Sequence, residues 1–149
     1  MNLPENRITK FISEHHIMNI AVTRDNIPWC ATCFYVYLPG ENRFVYTSDP
    51  DTRHVRDVVE GGSYRVAGTI ALETRIAGKI RGIQFTGFIS SLADPGDKPY
   101  KSAYLKRFPI ARLAPALHLW LLEPDYIKMT DNRLGFGKKL IWQVADLTK

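Results

Sequence analysis

The stretch from Ile17 to Ser48 reads IMNIAVTRDNIPWCATCFYVYLPGENRFVYTS. Ile17 to Thr23 is apolar and β-branched, Asp25-Asn26 is a turn pair, and Pro28 to Leu38 is rich in aromatic and β-branched residues. Pro39-Gly40-Glu41-Asn42 is a second turn signal, and Arg43 to Ser48 is a third strand candidate. Strand-forming runs separated by short turn clusters read as a three-stranded antiparallel meander.

Working outward, Pro4 suits a first helical turn, and Ile8, Phe11 and Ile12 recur at helical spacing before the meander. Beyond it, Ser48-Asp49-Pro50-Asp51-Thr52 breaks the sheet. Asp51 or Thr52 can cap a short helix carrying Val55, Val58 and Val59 on one face, and Gly61-Gly62 ends it. Tyr64 to Glu73 and Lys79 to Leu92 are long strand candidates. Lys98 to Phe108 has Tyr100, Tyr104 and Phe108 at helical spacing. Leu117 to Glu123, Tyr126 to Thr130 and Lys139 to Val144 complete the strands. Mostly short connections favour a closed or nearly closed antiparallel barrel.

The chain has 149 residues, which suits one domain, 1–149. Its 45% hydrophobic and 23% charged content is ordinary for a globular protein and argues against intrinsic disorder. No apolar run approaches the roughly 20 residues of a membrane span. The first residues lack the basic-then-apolar order of a secretory signal. A cytoplasmic protein without a membrane partner is expected. The net charge of +5 comes from scattered basic residues, with no long run of like charge and no RNP-like string. A nucleic-acid-binding barrel is therefore disfavoured.

Trp29-Cys30-Ala31-Thr32-Cys33 has the spacing of a redox dithiol, but that motif needs a helix N-terminus to lower the thiol pKa. Here a strand-like run follows, and residues three apart in a strand face opposite ways. The cysteines are expected to be small buried residues. The four histidines show no H-x3-H or H-E-x-x-H spacing, so no metal site is expected.

Two segments carry more information. In Tyr46 to His54 a strand ends, a tight loop follows and a helix begins, bringing the hydroxyls of Thr47, Ser48 and Thr52 beside Arg53 and His54. Hydroxyls, a guanidinium fork and unpaired helix N–H groups suit a phosphate monoester. In Lys79 to Ile89, Ile83, Phe85 and Ile89 share one face, and Gly82, Gln84 and Thr86 the other. A glycine in a strand marks a close approach, and Gln84 can pair with a flat heterocycle through its amide.

These residues resemble the pyridoxamine 5′-phosphate oxidase-like family, the FMN-binding split barrels. The resemblance runs over residues 5–143, on Thr23 to Pro28, Trp29 to Tyr37, Phe44 to Ser48, Thr52-Arg53-His54 and Gly82 to Gly87. Tyr104 to Pro109 and Thr130 to Lys139 are similar to a little-characterised bacterial subgroup. It implies a mainly β fold, a six-stranded antiparallel split barrel with short helices. It also implies a homodimer with FMN in clefts between subunits. Ala31, Thr32, Cys33 and Phe34 fall where the family contacts the ring and ribityl chain. Tyr46-Thr47 matches its Tyr-Thr pair, and Thr52-Arg53-His54 its phosphate grip, with His54 in place of a lysine. The family's ring-contacting glutamine falls near Gly82, with Gln84 on the same strand face. Lys138 or Trp142 is expected to reach a partner's flavin. No segment matches those that grip pyridoxal phosphate.

An FMN-dependent oxidoreductase acting on a small molecule or electron donor is the function expected. No residue stands out as a catalytic acid or base, since the chemistry would belong to the flavin. The alternative is a binding module holding haem or a deazaflavin in the same cleft.

Overall fold

Asp25 and Asn26 both lie in the left-handed region, with φ of 51° and 61°. Short polar side chains tolerate that region, and two such residues in succession form a turn whose twist matches paired strands. In the computed structural model, which describes residues 2–145, this turn joins β1 (Ile17–Arg24) to β2 (Ile27–Leu38). β3 (Arg43–Thr47) returns along the far end of β2, completing the meander. Met1 and residues 146–149 of the span read as one domain lie outside the described residues.

β4 (Arg65–Ala71) pairs with β1, and β5 (Arg81–Ser91) pairs with β4. β6 (Leu119–Asp131) lies between β5 and β3, which closes a ring in the order β3-β2-β1-β4-β5-β6. β7 (Lys139–Gln143) adds to the second half of β6 outside the ring. The sheet thus has seven strands, not the six expected: six close the barrel and the seventh extends it.

β6 also replaces the two strands expected at Leu117–Glu123 and Tyr126–Thr130. Proline cannot donate to a ladder, and at Pro124 the β5–β6 register shifts between Thr86 and Gly87, so Gly87 faces Pro124 and Thr86 faces Tyr126. The intervening Asp125 is the extra residue of a β-bulge. Its buried carboxylate takes Arg65 Nη1 at 2.7 Å and the Thr86 hydroxyl. Gly87 is required here, since a Cβ would lie 2.5 Å from the Glu123 carbonyl oxygen.

The barrel interior holds Met18, Ile20, Phe44, Phe85, Leu122 and Ile127. α1 (Asn6–Glu14) plugs one end with Ile8, Phe11 and Ile12. α2 (Arg53–Gly61) packs on β1 and β2 through Val55 and Val58. Val59, expected on that face, is exposed, because it falls one residue past the helical stripe. Gly62 ends α2 at φ 72°. α3 (Lys98–Arg107) covers the outer faces of β2, β3 and β6 with Tyr104 over Val36, Val45 and Leu121. Among the described residues no helix covers the outer face of β1, β4 and β5, where Asn19, Ala67, Thr69 and Gln84 are exposed.

Candidate functional site

β2 outlasts its partner. Among the described residues, its Tyr35 to Leu38 pair with β3, whereas Ile27 to Phe34 pair with β1 alone. Beside that segment lie the loop after β3 and the start of α2. The Arg53 guanidinium sits 4.1 Å from the centre of the Trp29 ring. Cys33 Sγ approaches Ser48 Oγ at 3.9 Å. Strand edge, loop and helix start therefore form one cradle.

The loop is fixed from both sides. Trp120 Nε1 donates to the Ser48 carbonyl at 2.9 Å, and the Thr47 hydroxyl donates to the His118 carbonyl at 3.0 Å. Asp51 or Thr52 was expected to cap α2. Thr52 takes the N-cap position, but its hydroxyl donates to the Asp49 carbonyl at 2.7 Å and makes no capping bond to the helix. The first N–H groups of a helix have no intrahelical acceptor, and an uncapped start leaves them for an anion.

Arg53 and His54 differ in their readiness to meet one. Arg53 is half-exposed, held by the Trp29 face and by Asp57 at 3.4 Å one turn on. This aims the guanidinium and leaves its terminal nitrogens available. His54 turns inward, where Nε2 makes a short hydrogen bond with Ser48 Oγ. Burial lowers its pKa, which favours the neutral ring at pH 7. Among the described residues of the cradle, Arg53 is accordingly the full cation, while the Ser48 and Thr52 hydroxyls are engaged by His54 and by the Asp49 carbonyl.

The expected ring contacts divide between the two faces of β2. Ala31 and Cys33 pair with Ile20 and Met18 and point inward, whereas Thr32 and Phe34 point outward. Cys33 is buried, and burial raises its thiol pKa. Cys30 is exposed, which corrects the expectation that both cysteines are buried; three residues from Cys33, it shares the outward face of Thr32 and Phe34. Tyr46 is a core side chain, so only its backbone faces the loop.

Gln84 and Gly82 lie on β5. Gln84 joins Thr32, Asn19 and Thr69 in a polar row across the outer face, and the Thr32 hydroxyl donates to Asn19 Oδ1 at 2.8 Å. Beside the row is a shallow cavity of about 340 Å³ over Ala21, Ala67 and Gly68. Lys138 is exposed on the loop before β7. Trp142, expected to reach a partner, is packed in this chain's own core and donates to the Asn2 carbonyl at 3.3 Å. It follows the inward parity of β7, which the tail sequence did not reveal. Sequence reading also missed Trp29 as the platform for Arg53 and Trp120 as the anchor of the loop.

No family model matches the sequence. Curated relatives do. A protein of Klebsiella pneumoniae, described as a UPF0306 protein, is 40% identical over 136 residues, 91% of this chain and 90% of that one. A UPF0306 protein of Photorhabdus laumondii is 38% identical over 145 residues, 96% of this chain and 99% of its own. The chain belongs to the UPF0306 family. Among solved structures, a putative pyridoxamine 5′-phosphate oxidase of Listeria innocua superposes with a TM-score of 0.66 at 11% identity, covering 85% of this chain and 97% of that one. An FAD-binding protein of Mycobacterium smegmatis gives 0.66 at 13% identity, covering 95% and 100%. A heme-binding protein of the same organism gives 0.73 at 14% identity, covering 89% of this chain and 55% of that one. This UPF0306 chain thus has the split-barrel fold of the pyridoxamine 5′-phosphate oxidase-like proteins, a fold also used to bind flavin and haem. Among the described residues no helix is long and apolar enough to cross a membrane.

Proposed function

We propose that the protein binds FMN in the cradle between β2 and α2, and that it works as an FMN-dependent oxidoreductase. The observation that carries this reading is the uncapped start of α2 beside Arg53, which is held on Trp29 with its terminal nitrogens available. A phosphate monoester fits that donor set: the first helix N–H groups and one guanidinium, beside a loop whose Ser48 and Thr52 hydroxyls are held by His54 and the Asp49 carbonyl. The unpaired edge of β2 from Ile27 to Phe34 supplies backbone groups for the ribityl chain and ring. When bound, FMN would supply hydride or electron transfer. The chain itself would hold the phosphate, orient the ring against β2 and limit the water that reaches it.

The reading includes a homodimer that shares the site. The outer face of β1, β4 and β5 carries small exposed residues, with Ile17 and Phe34 exposed beside it. Such a face admits a flat partner surface closely. Lys138, exposed on its loop, would be the residue that reaches the second chain's cofactor. The test is titration of apo-protein with FMN and with riboflavin, followed by its absorbance. A clear preference for FMN and a flavin spectrum support the reading. A Soret band from bound haem, with no flavin uptake, would favour the haem-binding alternative.

A further inference from the structure

A second cluster of cations lies at the barrel end plugged by α1. A cavity of about 390 Å³ opens there between Arg7, Lys10, Phe11 and Glu14 of α1, Arg81 of β5, Met129 of β6 and Arg133 beyond it, four cations against one carboxylate. Three of the four cations have carboxylates. Arg7 is 3.9 Å from Glu5, and Lys10 is 3.8 Å from Glu14. Arg133 grips buried Asp131 through two bonds, Nε to Oδ1 at 2.9 Å and Nη2 to Oδ2 at 2.7 Å.

Arg81 differs from these three. It faces Asp131 across the β5–β6 ladder, but Arg133 occupies both of that carboxylate's oxygens. Its Nε is buried without a hydrogen-bond partner, and its guanidinium lies over the Phe11 ring, 5.6 Å from the centre. A guanidinium is costly to desolvate, and a buried donor left unpaired is costly as well. The described residues thus place in the wall of a polar cavity a guanidinium that shares the Asp131 charge with Arg133 and keeps an unpaired Nε.

We infer that this cavity binds the phosphoryl group of a phosphorylated small molecule, with Arg81 as its anchor and Arg7, Lys10 and Arg133 around it. Donors converge from the helix on one side and from the strand ends on the other. A tetrahedral phosphate presents oxygens in several directions and can meet them together, whereas a carboxylate presents two in one plane. The cavity exceeds a phosphate in size, so there is room for the body of a small ligand. The inference is independent of the flavin reading.

Titration of the full chain with inorganic phosphate and with glycerol phosphate, followed residue by residue by amide NMR shifts, tests it. The expected shifts centre on Lys10, Phe11, Arg81 and Arg133. Arg81→Met keeps an unbranched chain over Phe11 and should weaken binding at least tenfold. Lys10→Ala, on the exposed surface, should weaken it several-fold even if Arg81→Met fails to fold. Arg53→Ala should remove only shifts near the start of α2 and leave those around Arg81 as they are. Absence of shifts around Arg81, equal affinity for acetate there, unchanged affinity in both cavity variants, or loss of the Arg81 shifts in Arg53→Ala would each overturn the assignment.

Discussion

Arg53 and His54 are neighbours in sequence with opposite fates. Arg53 points outward over Trp29, and His54 points inward to Ser48. A charge-assisted hydrogen bond contributes about 1.5–3 kcal/mol, so Arg53→Ala should weaken FMN about tenfold to a hundredfold. Riboflavin, which lacks the phosphate, should lose little; isothermal titration with both flavins checks this. His54 should show itself in the pH dependence of folding. Its folded pKa lies below the ordinary 6.5, so the unfolded chain binds more protons as the pH falls through that value. The stability linked to the neutral ring is complete above about pH 6.5 and is lost on acidification. His54→Gln should flatten that part of a melting-temperature profile. Cys30 should react quickly with a thiol reagent in the native protein, and Cys33 only on unfolding, because one is exposed and the other buried with a raised pKa.

At the scale of elements, the bulge between β5 and β6 is the most demanding local feature. Gly87→Ala would drive a Cβ into backbone atoms of Glu123 and Pro124, which cannot rotate away. Overpacking of this kind costs roughly 1–3 kcal/mol, to be read as a lower urea midpoint. Gly82→Ala should be much milder, since its nearest neighbour would be 3.3 Å away. The same region shows where sequence reading stops. The meander was legible because alternation and the Asp25-Asn26 turn are local signals, and α1 because Ile8, Phe11 and Ile12 repeat at helical spacing. The continuity of β6 through Pro124 was not legible, because it depends on Gly87, 37 positions earlier in the chain and visible only once the strands pair. The cradle was half legible. The Thr52-Arg53 pair stands in the sequence at a strand-to-helix junction. The inward turn of His54 and the stacking of Arg53 on Trp29 depend on how α2 seats against β2, which no short window of sequence encodes.

For the whole molecule, the barrel is covered by α3 on one flank and bare on the face of β1, β4 and β5. If that face joins two chains, light scattering should give twice the 17.0 kDa chain mass. Ala67 is exposed on the bare face and contributes little to the monomer's core. Ala67→Arg should therefore yield a folded monomer with reduced flavin uptake, seen together by light scattering and flavin absorbance. The central claim is that the open start of α2, with Arg53, recognises the phosphate of FMN. Its most direct test is calorimetric titration of the apo-protein with FMN and with riboflavin under one buffer condition. The account requires FMN to bind at least tenfold more tightly; equal affinities, or no binding of either flavin, would contradict it.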